Sequence, residues 1–336
     1  MLNLQHEFEE FHNIIKLDDE NTNLRQKREI LLNKLQKNIT EDAASYTHFN
    51  QGSYAMGTGI KPDKGDYDID VGLKFNINHD DYPDPVAVKK WVFDALNGHT
   101  KNVKIRRSCV TVTYQEGGEE AYHVDFAVYA ANNLDSKLYI AKGKESSSLE
   151  KRIWEESNPQ KLLKLIESLF DDSDDRKQFR RIIRYAKKWK NQNFDCSGNA
   201  APTGIALTAL AYHFFQPCFE KDELTETKTY NDFAAFKELM TKVLNSFSHR
   251  WDPSSQKFNY ELHESLPVAP RNDLFEKMSS LQQNNFHDKV ALLVDTLKEI
   301  EMCQKKSDAC AALIKVFGED FPMTVDRSFV GTSESA

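Results

Sequence analysis

No stretch of the 336-residue chain is apolar for long enough to span a bilayer. The acidic N-terminus, MLNLQHEFEEFHNIIKLDDE, lacks the basic-then-apolar order of a signal peptide. Disulfides and zinc sites are equally short of material. Cys109, Cys196, Cys218, Cys303 and Cys310 are odd in number, scattered, and never form a CxxC pair. That usage fits a reduced, cytoplasmic setting with incidental thiols. Positive charge is scarce as well: 44 Lys and Arg against 52 Asp and Glu give a net charge of −8. A dedicated binder of long nucleic acids carries a basic balance, so the sign argues against one, although a small anionic substrate needs only a local basic pocket. Internal repeats are absent. What remains is an ordinary soluble globular composition, 40% hydrophobic and 29% charged, long enough for two subdomains with large cores.

The informative stretch is residues 51–75, QGSYAMGTGIKPDKGDYDIDVGLKF. It opens on Gly52-Ser53, crosses a glycine-rich, partly basic loop, and ends in Asp68-Ile69-Asp70. Tyr67, Ile69 and Val71 alternate with Asp68 and Asp70, a strand pattern that places both carboxylates on one face. Acids held side by side on a sheet repel unless a cation lies between them. A hard divalent ion carrying a nucleotide's phosphates, Mg²⁺ above all, resolves that cost.

A third acid joins them. Residues 103–114 and 122–129 read as two strands joined by a glycine-containing turn, and Asp125 sits between Val124 and Phe126 in the second. A lone acid there is expensive to bury. Separate surface positions on amphipathic strands are the plain alternative, but one metal site accounts for Asp68, Asp70 and Asp125 together.

Around this core, residues 1–46 read as helix, with Leu4, Phe8, Phe11 and Ile15 on one face and then Leu24, Leu31 and Leu35 on a similar stripe, and Asp18-Asp19-Glu20-Asn21 as a break or cap between the two halves. A helix is expected at 86–97, ended by Gly98, and a surface loop at 134–150, anchored by Trp154. From 159 the pattern is mostly helical to about 317. In residues 175–191 Phe179, Ile182, Ile183, Ala186 and Trp189 line one side, and Lys177, Arg180, Arg181, Arg184, Lys187 and Lys188 the others. A solvated face is the ordinary reading of such a run; in an acidic protein it also suits the wall of a triphosphate pocket. Thr203 opens an apolar helix, as an N-cap or as a phosphate contact. The tail after Pro322 is polar and frayed.

Gly52-Ser53, the acid-x-acid strand Asp68-Ile69-Asp70 and the later Val124-Asp125-Phe126 resemble the signature of the DNA polymerase β-like nucleotidyltransferases. The fuller wording (Gln51-Gly52-Ser53-Tyr54, His123-Val124-Asp125-Phe126, Lys187-Lys188-Trp189 and Val316-Phe317-Gly318) is similar to the bacterial cGAS-like branch, the CD-NTases, over most of the chain. The resemblance implies an α+β, bilobed fold: an N-terminal helix and a mixed β-sheet catalytic lobe over 1–158, a helical lobe closing the nucleotide cleft over 159–322, and a polar tail over 323–336. It implies an enzyme that joins nucleoside triphosphates into a cyclic di- or trinucleotide messenger for anti-phage signalling, releasing pyrophosphate. Asp68, Asp70 and Asp125 would be the catalytic and metal-binding residues, for two Mg²⁺ ions or Mn²⁺ in their place. Gln51, Gly52, Ser53, Lys187 and Thr203 would bind the nucleotide. ATP, GTP or other nucleoside triphosphates would be the substrates, with a separate effector protein and regulatory proteins as partners, and neither long nucleic acid nor membrane required. The Ser53-to-Asp68 connection is long for the pattern, which puts Lys61 and Lys64 beside the phosphates. Nothing in the spacing selects the bases, the ring size, the linkage or a base-stacking aromatic, Tyr54 included. The alternatives are a template-free RNA or oligoadenylate nucleotidyltransferase and, from another class, a catalytically silent nucleotide-binding module.

Overall fold

The computed structural model describes residues 2–324 apart from 18, 19, 63–66, 117, 118, 196, 197, 254 and 255. The chain forms two compact units, one of Lys16–Asp171 and Ser265–Asp273, the other of Met1–Ile15, Asp172–Glu264 and Leu274–Ala336. The expected N-terminal helix is therefore two helices, α1 (Gln5–Ile15) and α2 (Glu20–Asn38), one in each unit; of the expected break, Asp18 and Asp19 lie outside the described residues and Glu20 and Asn21 open α2.

The first unit is built on a seven-stranded mixed sheet. Its strands are β1 (Tyr46–Gln51), β2 (Tyr67–Phe75), β3 (Asn102–Ile105), β4 (Val110–Glu116), β5 (Glu119–Ala130), β6 (Tyr139–Lys142) and β7 (Ile153–Glu156). The order is β1-β2-β5-β4-β3, with β6 pairing β5 and β7. β2 and β5 run parallel and the other pairs antiparallel. Ile69, Val71, Leu73 and Phe75 of β2 are wholly buried, as are Val124, Phe126 and Val128 of β5. They pack against Leu24, Leu31 and Leu35 of α2 and against Val88, Val92 and Leu96 of α4 (Pro85–Leu96). Asp84 caps α4, accepting from the Val86 N–H at 2.9 Å, and Pro85 takes the position where a missing N–H costs nothing.

Three expectations shift in this unit. The 103–114 run is not one strand but a hairpin, closed where the Arg106 N–H donates to the Cys109 carbonyl at 2.9 Å. The 134–150 loop contains β6, which finds in β7 the partner that a polar stretch does not announce. Trp154 does anchor it, donating Nε1–H to the Tyr82 carbonyl at 2.7 Å. Helix α5 (Pro159–Glu167) belongs to the sheet unit, burying Leu162 and Ile166, so the units divide at Asp171 rather than at 158.

The second unit comprises α1, α6 (Ser173–Asn193), α7 (Gly204–Phe214), α8 (Asp232–Asn245), α9 (Ser280–Glu301) and α10 (Lys306–Phe317), with two hairpins, β8–β9 (Phe219–Lys221, Lys228–Tyr230) and β10–β11 (Ser248–Asp252, Lys257–Glu261). Its core is aromatic: Phe8, Phe11, Tyr185, Phe317 and Phe321 interlock with ring centroids 4.8–6.3 Å apart. Asp232 is fully buried among them and is satisfied by bidentate Arg181 (2.6 and 2.8 Å), Gln178 (3.1 Å) and Tyr185 (3.0 Å).

Glu7 is a second buried acid, accepting from Lys306 at 3.0 and 3.3 Å and from Thr324 at 3.2 Å. Burial pushes its carboxyl up, but the hydrogen bond and charge of Lys306 prevail and hold it below its usual value. A depressed folded-state value contributes stability above the unfolded carboxyl pKa of about 4.3, and loses it as pH falls through the folded value. Glu7→Gln is therefore expected to destabilise by about 1–2 kcal/mol at pH 7. The gap from the parent in denaturant melts should close as pH is lowered through the acid range. A gap constant with pH would assign the cost to packing instead. Residues 325–336 of the polar tail lie outside the described residues.

Candidate active site

The register of the sheet assembles the site. Gln51 at the end of β1 pairs with Asp70 on β2, Asp70 pairs with Asp125 on β5, and Asp125 pairs with Thr111 on β4. Paired residues on adjoining strands share a face. Asp68, two residues before Asp70, shares it too. Asp68, Asp70 and Asp125 each offer a carboxylate oxygen within 4.8 Å of the others, the one group of three or more potential metal-ligating side chains among the described residues.

Electrostatics make this cluster costly without a cation. Asp68 is exposed, but Asp70 and Asp125 are half-buried, where water screens less. Asp125 Oδ1 is buried and has no hydrogen-bond partner. An orphaned carboxylate oxygen forfeits its solvation, a loss of about 1–3 kcal/mol or more. An all-oxygen donor set of three carboxylates suits a hard divalent ion, so the residues present fit a divalent metal site.

Beside the acids, β1 turns at Gln51 into the five-residue helix α3 (Gly52–Met56). Gly52 begins it at φ +68°, and a β-carbon there would lie 1.9 Å from Asp70 Oδ2. Only a residue without a side chain lets this backbone lie against the carboxylate. Gln51 is held from the side, its Oε1 accepting from the Tyr129 hydroxyl at 2.8 Å. Tyr54 is committed elsewhere, its hydroxyl accepting from Arg25 Nε at 2.6 Å. Lys61 lies half-buried just beyond α3, and Lys64 falls outside the described residues.

On the other side of the acids the structure adds residues that spacing did not pick out. Cys109 Sγ lies 3.5 Å from Thr111 Oγ1, and burial, then the neighbouring Asp125, pushes its thiol up to about 12. Burial and the neighbouring carboxylate both favour its neutral form. Lys89 of α4 is fully buried and donates to the carbonyls of Arg106 (2.9 Å), Arg107 (3.0 Å) and Gly143. Burial lowers its ammonium to about 8. Strand alternation could have flagged Thr111, but no pattern shows that it faces Asp125 until the register is known.

Lys187 and Thr203 belong to the other unit. Thr203 is the N-cap of α7, its Oγ1 accepting from the Ala206 N–H at 3.3 Å, as the capping alternative has it. Lys187 is buried at 7% exposure, and its Nζ lies 3.8 Å from where a β-carbon on Gly204 would stand. The structure thus brings the Lys187 ammonium to the N-terminus of the helix that Thr203 caps.

Residues 47–129 match the family described as "Cyclic GMP-AMP synthase DncV-like, nucleotidyltransferase domain". Among curated proteins, a cyclic GMP-AMP synthase of Escherichia albertii is 30% identical over 183 residues, 51% of this chain and 38% of that protein. A c-di-GMP synthase of Roseivirga ehrenbergii is 26% identical over 191 residues, 50% of this chain and 48% of that one. The matched stretch is thus less than half the length of either relative. Among solved structures, Vibrio cholerae DncV in its 3′-deoxy GTP-bound form superimposes with a TM-score of 0.67 at 15% identity, covering 92% of both chains. The Bradyrhizobium diazoefficiens CD-NTase CdnG in complex with GTP gives 0.67 at 14%, covering 94% of this chain and 95% of that one. The α+β architecture is therefore that of these proteins.

Proposed function

We propose that the protein, whose residues 47–129 match the DncV-like nucleotidyltransferase domain, joins nucleoside triphosphates into a cyclic oligonucleotide and releases pyrophosphate. The observation that carries this reading is the three-carboxylate cluster set against Gly52, with an unpartnered buried oxygen on Asp125. In this reading Mg²⁺ is the metal, ATP and GTP are the substrates, and a separate effector protein responds to the product.

Nucleotidyl transfer is an in-line attack of a hydroxyl on an α-phosphorus, with pyrophosphate leaving from the opposite side. Divalent ions bound by Asp68, Asp70 and Asp125 would neutralise phosphate charge and acidify the attacking hydroxyl. The chain's own residues do the positioning. Main-chain N–H groups around Gly52 and the hydroxyl of Ser53 hold the donor's β- and γ-phosphates, which approach closely because Gly52 has no side chain. Asp125, nearest the acceptor side, takes the proton from the attacking hydroxyl as the new P–O bond forms. The bond from the α-phosphorus to the bridging oxygen then breaks, and its electrons leave with pyrophosphate. Two such transfers, the second within the linear intermediate, close a dinucleotide ring.

Lys187 and the α7 N-terminus, in the helical unit, bind nucleotide phosphate in this reading. An ammonium and a helix N-terminus are both groups that bind anions. Lys187→Ala is expected to raise the apparent nucleotide KM about tenfold, the worth of one charge-assisted contact. An unchanged KM would remove Lys187 from the site.

The reading is tested by incubating the protein with α-labelled nucleoside triphosphates and Mg²⁺ and treating the products with phosphatase. Phosphatase-resistant product with stoichiometric pyrophosphate supports cyclisation. Label in lengthening RNA supports template-free tailing, and retained triphosphate with bound nucleotide supports a silent binding module.

A further inference from the structure

We infer that the groove formed by the β3–β4 turn and the loop after β6 binds the 5′-triphosphate carried by the acceptor nucleotide, an inference that rests on the transfer reaction proposed above. The in-register row across the sheet runs Gln51, Asp70, Asp125, Thr111, Lys104. All five share one face, and at about 4.8 Å per strand Lys104 stands roughly 10 Å beyond Asp125. In-line displacement places the entering hydroxyl opposite the leaving pyrophosphate. With the leaving group held on the β1 side, at Gly52-Ser53, the acceptor enters from the β5 side and extends over β4 and β3. There the surface turns basic.

Lys104, Arg106, Arg107 and Lys144 line a groove of about 850 Å³ at the β3 edge of the sheet, with Cys109, the neighbour of Asp125, in its wall and Phe93, Val103 and Ile105 of the α4-packed side lining it as well. All four cations are exposed, and none has an ion-pair partner among the described residues. Glu145, the one acid in the lining, pairs with Lys90 at 3.2 Å. In a chain of net charge −8, four uncompensated cations in one groove are a local concentration of positive charge suited to an oligophosphate.

A merely solvated basic turn needs no anchor, and this one is anchored. The buried Lys89 ammonium fastens the carbonyls of Arg106, Arg107 and Gly143 to one point, so the turn carrying the two arginines and the loop beginning at Lys144 are held together. Holding donors in place before the ligand arrives reduces the ordering cost of binding. The acceptor brings its 5′-triphosphate to the groove in the first transfer; at ring closure that same triphosphate becomes the donor's and lies at Gly52-Ser53, so the groove serves the first step.

The test uses the full chain and its Lys104→Ala/Arg106→Ala/Arg107→Ala variant, with Lys104→Ala alone as a second variant should the triple one unfold. With 2′,3′-dideoxy-ATP, which can donate but not accept, transfer is measured onto each nucleoside triphosphate and onto the corresponding nucleoside. The acceptor KM for triphosphates is expected to rise at least about tenfold more than that for nucleosides. Binding of inorganic tripolyphosphate in EDTA, followed by calorimetry, is expected to weaken by at least about tenfold in the variant. Equal losses for phosphorylated and unphosphorylated acceptors overturn the inference, as does unchanged tripolyphosphate binding. A rise confined to the donor KM also overturns it, by giving the cations to the donor. Wild-type protein that transfers onto nothing overturns the proposed reaction itself, and this inference with it.

Discussion

Asp70→Asn is expected to reduce nucleotidyl transfer by at least about 10³-fold while raising the melting temperature of the metal-free protein. The two effects have one cause. Asp70 sits between Asp68 and Asp125, two potential metal ligands of like charge within 4.8 Å. Without metal, removing the central charge relieves repulsion at a half-buried site, and the fold gains. With Mg²⁺ present the carboxylate would be one of its ligands, and a neutral amide oxygen would hold a divalent ion less strongly. The parent protein should therefore gain stability on adding Mg²⁺ and the variant should not. Paired melts with and without the ion, beside an assay of pyrophosphate release, check both halves. A variant that keeps full activity, or is stabilised by Mg²⁺ as the parent is, removes Asp70 from the metal site. Asp125→Asn should behave likewise in activity, because its buried Oδ1 has no other partner.

Gly52→Ala should cost activity far more than stability. The left-handed backbone at φ +68° penalises alanine by about 1–2 kcal/mol. The larger consequence is local. The new methyl group would stand 1.9 Å from Asp70 Oδ2 and 2.7 Å from its carboxyl carbon, so one of the two must move. The carboxylate is the end of a short side chain and moves more readily than the backbone of β1, which its pairing with β2 fixes. Stability is thus largely kept while a metal ligand is displaced by about an ångström, a shift worth roughly 10²-fold in rate. Denaturant melts and turnover of the same preparation decide it. A variant that loses stability and activity in proportion would make Gly52 a folding residue only.

How much of this was legible beforehand follows from what each signal depends on. Strand alternation is local, so Asp68 and Asp70 declared a shared face from five residues, and Asp125 declared itself an acid in an apolar strand. That β2 and β5 are parallel neighbours, with Asp70 directly opposite Asp125, comes from pairing across more than fifty residues, which no local pattern carries. The same holds for Thr111 and Lys104. Their place in the row follows from the β3–β4 hairpin, whose turn at Arg106 to Cys109 has neither glycine nor proline to mark it. Lys89 was invisible for another reason. A lysine in an amphipathic helix reads as solvent-facing, and only the three converging carbonyls explain why this one is buried. The N-terminal helix was legible as an apolar stripe. The assignment of its halves to separate units depends on tertiary packing, with Phe8 and Phe11 in an aromatic core and Leu24, Leu31 and Leu35 against the sheet.

The most direct test of the account is a mass spectrum of the product formed from all four nucleoside triphosphates and Mg²⁺, run beside Asp70→Asn. The account predicts a new species with the mass of two or three nucleoside monophosphates less one water per linkage, ring-closing linkage included, and no terminal phosphate, absent from the variant's reaction. Unconsumed triphosphates, or the same product from Asp70→Asn, would contradict it.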